Sequence, residues 1–563
     1  MRVESAKSIP ELFARRVRLS PDKLAYRQFT GDRWQEMTWS DVAHEAGRWQ
    51  KALVQEQLAP GDRVAICMRN SINWVLFDQA AMALGLVTVP LFYNDRPDNM
   101  AWCINDSGAK LLVLEDGKIC SDLLGQVKTL HRVVCANNAP AGQDERVTGL
   151  SDWLPAQGDY QANTALTEED LATVVYTSGT TGRPKGVMLT HGNLISDLFA
   201  LSYACYEING DDEFLSFLPL SHMFERTVGY YIAITVGALT TFARGIPELA
   251  EDMANHRPTL LVCVPRIFER IYNKVQEGLP QGSLKRFLFE KAVDIGWKRY
   301  QGKAGPIDHM LWPVFDALVG KKLRGRLGGR VKYILLGGAP MPAHLFKTFI
   351  GLGITFLHGY GLTETSPVIS FNRVNDNDPF SVGAALDNVE TRLGDNSELQ
   401  VRGPVVMKGY WDQEQATAEV VDKDGWFHTG DVAEIRNNHI YITGRVKDII
   451  VMSNGEKVSP GDVEQAILAD TVFEQVMLIG EGRPKLGLLV VSSLADEKEL
   501  CRRANNMLHD FPGYAKIRYV ISITEPWTVE NGLLTPTLKT RRQEIEKRYA
   551  SELGELFTQA HEC

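Results

Sequence analysis

Residues 176–187 read "YTSGTTGRPKGV": a dozen positions with five hydroxyl-bearing side chains, three glycines, one lysine and almost nothing that could fill a core. A β-branched run, "LATVVYT", leads into it and predicts a strand. Gly179, Gly182 and Gly186 allow the backbone positive φ and a close approach to a ligand. Successive amide N–H groups and the hydroxyls of Thr177, Ser178, Thr180 and Thr181 can then converge on anionic oxygens, with Lys185 adding a full charge. A polyphosphate requires that combination. The stretch is not a Walker loop, which runs from GxxxxGK(S/T) straight into a helix. Here Arg183 and Pro184 separate Gly182 from Lys185, and "GVMLT" continues as a strand. The next helix begins only near His191, Gly192 and Asn193. The grip on phosphate therefore falls to loop amides, side chains and the lysine.

A chain of 563 residues exceeds one hydrophobic core and predicts two or more domains. With 44% hydrophobic and 23% charged residues, it has the composition of a soluble folded protein. A formal charge of −10 argues against nucleic-acid binding, since no surplus of Lys and Arg is available to neutralise phosphates. The eight cysteines never approach within a metal-binding spacing, which predicts reduced, mostly buried thiols and a cytoplasmic setting. The opening "MRVESAKSIPELFARRV" lacks the apolar run of a signal peptide, and Ile9, Leu12, Phe13 and Val17 predict a short amphipathic helix. Residues 227–243, "TVGYYIAITVGALTTFA", are uncharged but too short and too rich in Thr and Gly for a spanning helix. They read as core or as the wall of an apolar cavity.

Strand-like runs at 63–67, 111–115, 260–264, 331–336 and 353–358 alternate with helical segments such as 287–297, which implies α/β layers with much parallel sheet. After about residue 380 the texture changes. "VAEIRNNHIYITG" predicts a hairpin turning at Asn437 and Asn438, and "DIIVMSNGEKVS" a second around Asn454 and Gly455. Ser459 is placed as a helix N-cap, with Pro460 at the first helical position and Asp462 completing a capping box. The expected architecture is a large α/β N-terminal domain of several layered subdomains, residues 1–446, and a small mobile α+β C-terminal domain, 447–563.

"YTSGTTGRPKGV" resembles the signature of the adenylate-forming superfamily: acyl-CoA synthetases, firefly-type luciferases and adenylation domains. Further matches follow in order: "GGAPM" (337–341), "HGYGLTETSP" (358–367), "GWFHTGD" (425–431), "GRVKDII" (444–450) and "NGLLTPTLKTRR" (531–542). Within this pattern "FLPLSHMFER" (217–226), "PRIFERIYNKV" (265–275) and "NGLLTPTLK" look most like long-chain fatty acyl-CoA synthetases. The resemblance implies an AMP-forming acid–thiol ligase using ATP, Mg²⁺ and coenzyme A.

It also implies roles. Attack of a carboxylate on the α-phosphate brings two anions together, which calls for a metal and fixed cations. Glu364 would ligate Mg²⁺ with Thr177 beside it, and Thr363 would touch the α-phosphate. Tyr360 would lie against adenine within "HGYG" (His358, Gly359, Tyr360, Gly361), with Gly338, Ala339 and Pro340 across from it at a strand end. Asp431 is suited to accept both ribose hydroxyls, with Arg445 nearby. Lys539 carries the main charge for the adenylation transition state, where many relatives have "SGK" and this chain has Thr537-Leu538-Lys539. Lys447 takes the hinge position, and Gly455 the side from which the coenzyme A thiol enters.

His222 in "PLSHMFER" matches the position beside the reacting carboxylate, while Glu225 and Arg226 adjoin and read as a pair. Ser221 to Phe224 offers no Asp for a substrate ammonium, which disfavours an amino acid. Where relatives commonly have Gly-Glu before "VRGP", this chain has Ser397-Glu398-Leu399, and a local turn change is expected. The favoured activity joins a medium- or long-chain fatty acid to coenzyme A. The alternatives are transfer of the acyl group to a carrier protein, and a catalytically dead nucleotide- or acyl-binding regulator. The expected partners are a fatty acid, ATP and coenzyme A, with no nucleic acid; peripheral contact with the inner face of a membrane is compatible, and oligomeric state is left open.

Overall fold

The computed structural model describes residues 6–140, 142, 144–177, 183–205, 207–509, 511–535 and 539–557. Ser178, Gly179, Thr180, Thr181 and Gly182 of the phosphate loop, and Thr537 and Leu538 before Lys539, lie outside the described residues. The chain forms two compact units. One takes the residues before the 178–182 loop, Arg183–Thr391 and Val401–Phe427; the other takes Arg392–Gln400 and the residues from His428 onward.

The first unit is built on two large sheets, of nine and eight strands. In the nine-stranded sheet Glu213–Ser216, Leu260–Cys263, Tyr333–Leu336 and Phe356–Gly361 are consecutive neighbours and all parallel. Their carboxyl ends therefore lie along one edge of the sheet, where loops bearing ligand groups collect. Helix Leu284–Tyr300 contains the helical segment expected at 287–297, and helices Pro265–Glu277 and Ala343–Gly351 join it in this unit. Phe268 packs edge to face on Phe349 and Phe356 within the core of this unit. The strand expected at 353–358 runs later, over Phe356–Gly361, so "HGYG" sits on the strand itself. It pairs antiparallel with Val368–Phe371 so closely that a Cβ on Gly361 would stand 1.7 Å from the Pro367 carbonyl oxygen.

In the eight-stranded sheet Leu171–Thr177 and Lys185–Thr190 form an antiparallel hairpin. Thr190 caps the helix His191–Ala204 through a capping box with Asn193. That is the strand–loop–strand–helix order expected, and it excludes a Walker arrangement. Gly186 serves differently from the expectation: it has no positive φ, but a Cβ there would lie 2.7 Å from Val174 Cγ1. The N-terminal helix Ile9–Leu19, capped by Ser8, buries Ile9, Leu12 and Phe13. The apolar stretch 227–243 is core: Tyr230 and Tyr231 are fully buried, and Leu239–Phe242 is a strand of the nine-stranded sheet.

The second unit contains the hairpin Phe427–Arg436 and His439–Arg445, turning at Asn437 and Asn438, whose φ values are 49° and 66°. The short hairpin Ile450–Val451 and Lys457–Val458 follows, and then a three-stranded sheet of Gln475–Ile479, Leu486–Val491 and Ile517–Ile523. Ser459 holds the N-cap position of helix Pro460–Ile467, but its hydroxyl bonds none of the helix amides, so the expected capping box does not form. Cys67, Cys103, Cys120, Cys135, Cys205 and Cys263 are free and buried. Cys501 is disulfide-bonded, against the expectation of thiols reduced throughout.

Candidate functional site

Hairpin geometry places Thr177 opposite Lys185, at the two ends of the phosphate loop. The outer edge of this hairpin is not open. Gly409 and Tyr410 pair with Met188 and Val187, and the Trp411 amide donates to the Gly186 carbonyl at 2.7 Å. The Tyr410 ring consequently lies 5.0 Å from Lys185 Nζ, near enough for a cation–π contact. At its other end the Tyr410 hydroxyl donates to Glu364 Oε1 at 2.9 Å. Burial, and then the Glu364 charge, push the Tyr410 hydroxyl well above the ordinary phenol range, so it stays a donor at every working pH. Arg183 stacks over Trp102, whose indole N–H donates to the Pro184 carbonyl at 3.3 Å, anchoring the returning limb of the loop.

Glu364 lies in a single 3₁₀ turn, Thr363–Thr365. The turn is clamped from several directions. The Met407 amide donates to the Glu364 carbonyl at 2.8 Å, and the Ser366 hydroxyl to the Val405 carbonyl at 2.7 Å. The Thr227 hydroxyl donates to the Ser366 carbonyl at 3.2 Å. Asp197, fully buried on helix His191–Ala204, accepts from the Val368 amide at 3.2 Å. Thr363 and Glu364 are thus fixed by distant chain segments, as a site that must aim charge requires.

The carboxyl edge of the nine-stranded sheet gathers the other groups of this unit. Gly338, Ala339 and Pro340 follow strand Tyr333–Leu336 and are exposed. His358, Gly359, Tyr360 and Gly361 complete the adjacent strand. Burial lowers His358 to about 4, keeping the ring neutral beside the backbone of Ala339 and Ser381. His222 follows strand Glu213–Ser216 and is half-buried. The Phe224 amide donates to its Nδ1 at 3.2 Å, so the ring proton is carried on Nε2. The Phe224 ring packs against Gly337, where a Cβ would come within 2.8 Å, and this joins the His222 loop to the Gly338 loop.

Glu225 and Arg226 do not pair with each other. They are consecutive residues on a π-helical turn, Glu225–Tyr231, and such neighbours face different ways. Arg226 is fully buried against Asp78 and donates to Thr88 Oγ1 at 2.8 Å and Thr173 Oγ1 at 2.9 Å. Glu225 points instead to Ser216, whose hydroxyl donates to Oε1 at 2.6 Å, while Oε2 has no partner among the described residues. Burial raises Glu225 to about 8, so this carboxyl is neutral at pH 7. Ser216 in turn accepts from Asn70 Nδ2 at 2.9 Å, and Asn70 Oδ1 accepts from the Leu220 amide at 2.8 Å. This chain braces the loop that carries His222.

In the second unit Asp431 is 4% exposed and faces Arg445 across the hairpin, with Arg445 Nε donating to Oδ1 at 2.8 Å. Glu398 supports the same turn: it accepts from the Gly430 amide at 2.9 Å and lies 2.8 Å from His428 Nδ1. Before it stands a 3₁₀ turn, Asp395–Ser397, with Asn396 and Ser397 at positive φ. Lys447 is exposed in the turn after the hairpin, and Gly455 is exposed at the tip of the next one. Lys539 is exposed on a loop closed by mutual bonds with Thr535, whose hydroxyl accepts from the Lys539 amide at 3.0 Å. Tyr410 and Asn70 have no place in the sequence reading, and Glu398 enters it only within the Ser397-Glu398-Leu399 departure. Only the "KGYW" aromatic pair at 408–411 offered a local signal.

Among the described residues no three His, Cys, Asp or Glu side chains group as a metal cage. A lone, oriented carboxylate at Glu364 nevertheless suits Mg²⁺, which is held by one or two carboxylates and completes its shell with phosphate oxygens and water. No helix among the described residues is long and apolar enough to cross a membrane.

Comparison with known proteins agrees along the chain's length. The model of the AMP-binding enzyme family matches residues 13–411, and that of the AMP-binding enzyme C-terminal domain matches 447–561. A long-chain-fatty-acid–CoA ligase of Mycobacterium bovis is 31% identical over 95% of each chain. A chloroplastic long-chain-fatty-acid–[acyl-carrier-protein] ligase of Arabidopsis thaliana is 27% identical over 99% of this chain and 88% of its own. Among solved structures, the A-PCP didomain of a carboxylic acid reductase from Segniliparus rugosus, in complex with AMP, superposes with a TM-score of 0.77 at 21% identity, over 99% of this chain and 82% of its own. That last likeness establishes the shared fold.

Proposed function

The chain belongs to the AMP-binding enzyme family, and on that premise we propose that it activates a medium- or long-chain fatty acid as acyl-AMP and passes it to coenzyme A. The observation that carries this reading is the Lys185–Tyr410–Glu364 grouping beside the phosphate loop. It puts a cation and an oriented carboxylate on either side of one rigid aromatic, as a polyphosphate with its metal demands.

In the first half-reaction a carboxylate oxygen attacks the α-phosphorus of ATP and pyrophosphate leaves. Thr177, Ser178, Gly179, Thr180, Thr181, Gly182 and Lys185 hold the phosphate tail, and Thr363 meets the α-phosphate. Glu364, with the Thr177 hydroxyl, would hold Mg²⁺, whose chemistry is to neutralise phosphate charge. Tyr360 and Gly338, Ala339 and Pro340 flank adenine, backed by His358, Gly359 and Gly361. Asp431 takes the ribose hydroxyls, oriented by Arg445. His222 offers its Nε2 proton to the acid, and Lys539 stabilises charge on the reacting phosphorus. In the second half-reaction the thiol attacks the acyl carbonyl and AMP leaves. We divide the chain functionally at Lys447, into residues 1–446 and 447–563, with Lys447 as the hinge that lets the smaller part serve both steps and Gly455 on the thiol side. The family's C-terminal match, which begins at 447, supports this division. A cytoplasmic setting rests on the six buried free thiols, and the Cys501 disulfide weighs against it.

Fatty-acid-dependent exchange of pyrophosphate into ATP tests the first step. No exchange with any acid from butyrate to stearate, in the presence of magnesium, would refute the assignment. The relative named for an acyl-carrier-protein acceptor favours a second reading, transfer to a carrier. Adding coenzyme A and measuring AMP and thioester by mass spectrometry separates the two.

A further inference from the structure

Most surface helices of a globular protein are apolar on one face only. The helix Pro306–Phe315, continued by the π turn Asp316–Gly320, is apolar on both. Its inner face is used: Phe315 and Val319 pack on the core, and Trp312 lies over Gly296 and under the Arg299 guanidinium. Its outer face carries Ile307, Met310, Val314 and Leu318, which are 68%, 70%, 55% and 43% exposed. Steps of three and four residues put these side chains in one row. The row then runs into charge. Lys321, Lys322, Arg326 and Arg330 follow it and are exposed. Residues 284–330 hold eleven Lys and Arg against four Asp and Glu, in a chain whose formal charge is −10. On the preceding helix Leu284 and Phe287 are also exposed, at 72% and 52%.

We propose that the outer face of residues 307–318 and the basic residues that follow it form a docking surface for an anionic lipid membrane. An apolar row flanked by lysine and arginine is the chemistry that lies in the headgroup plane of such a bilayer: aliphatic side chains enter the acyl boundary while the cations meet lipid phosphates. A second copy of this chain is a poorer occupant. A symmetric contact would bring this net-basic segment against its own copy, which has no acidic surplus to pair with it. The segment is far too short to span the bilayer, so the contact is peripheral. The docking is independent of the reaction assigned above.

The full chain is mixed with vesicles of phosphatidylcholine alone or with phosphatidylglycerol, and the bound fraction is read by flotation. Binding is expected with phosphatidylglycerol, and it should weaken as salt is raised. Met310→Asp with Val314→Asp should lower the partition constant by about tenfold or more, since charge on the buried row opposes insertion. Lys321→Glu with Lys322→Glu should lower it by roughly fivefold per residue, the worth of one basic side chain near an anionic surface. These positions are exposed, so circular dichroism and the melting midpoint should not change. Three results would overturn the proposal: equal binding to both vesicle types, binding unchanged in both variants, or loss of a dimer by the Met310 and Val314 changes with vesicle binding intact. The last would identify the occupant as a second copy.

Discussion

Glu225→Gln is expected to raise the stability of this protein, and to raise it more as pH increases. In the fold the carboxyl is completely enclosed, with only the Ser216 hydroxyl on Oε1, and is held protonated up to about 8 against an ordinary value of 4.5. Below 4.5 the folded and unfolded chains both carry the proton and stability is unaffected. As pH rises the unfolded chain releases the proton while the folded one keeps it, so stability falls until the folded group also ionises near pH 8. At about 1.4 kcal/mol per pH unit the full loss is about 5 kcal/mol. Glutamine keeps the acceptor for Ser216 and the side-chain shape that packs against Gly229, and has no proton to lose. Its extra N–H groups add a cost that does not vary with pH. Thermal midpoints of the two proteins, compared at half-unit steps from pH 5 to 9, should therefore diverge up to about pH 8 and then run parallel. A constant difference across that range would mean that Glu225 is solvated or ionised in the native protein, and the reasoning would fail.

Tyr410→Phe removes the hydroxyl that orients Glu364 and should lower adenylation by about tenfold to a hundredfold, with a raised requirement for magnesium. Pyrophosphate exchange titrated with Mg²⁺ measures both, and an unchanged titration would detach Glu364 from the metal. Lys539→Ala should reduce adenylation by about a hundredfold and largely spare thioester formation from supplied acyl-AMP; equal damage to both half-reactions contradicts the proposed division at Lys447. Asp78→Asn strands the buried Arg226 charge and should destabilise the protein by about 3–5 kcal/mol. Chemical denaturation reads this directly, and wild-type stability would show that the pair contributes nothing.

The elements that sequence reasoning located are those governed by a few adjacent residues. Asn437 and Asn438 turn a hairpin because both tolerate left-handed φ, and Thr190 with Asn193 starts a helix by capping it. The phosphate loop was recognisable for the same reason: its glycines, hydroxyls and lysine act through the local backbone. Where the local reading failed, a longer-range contact had prevailed. "HGYG" was placed after a strand and lies on one, because pairing with Val368–Phe371 extends it. Glu225 and Arg226 were read as partners because they adjoin, yet Arg226 finds Asp78 across 148 positions and Glu225 finds Ser216.

What the sequence determined alone was the order of elements, the chemistry of the phosphate loop and the family pattern along the chain. Tertiary structure decided which groups meet: Lys185 with Tyr410, Tyr410 with Glu364 over 46 positions, and the enclosure that neutralises Glu225. It also decided that the apolar row from Ile307 to Leu318 faces outward. Backbone preferences act over a turn or two of chain, whereas burial and pairing depend on segments that become neighbours only when the sheets assemble.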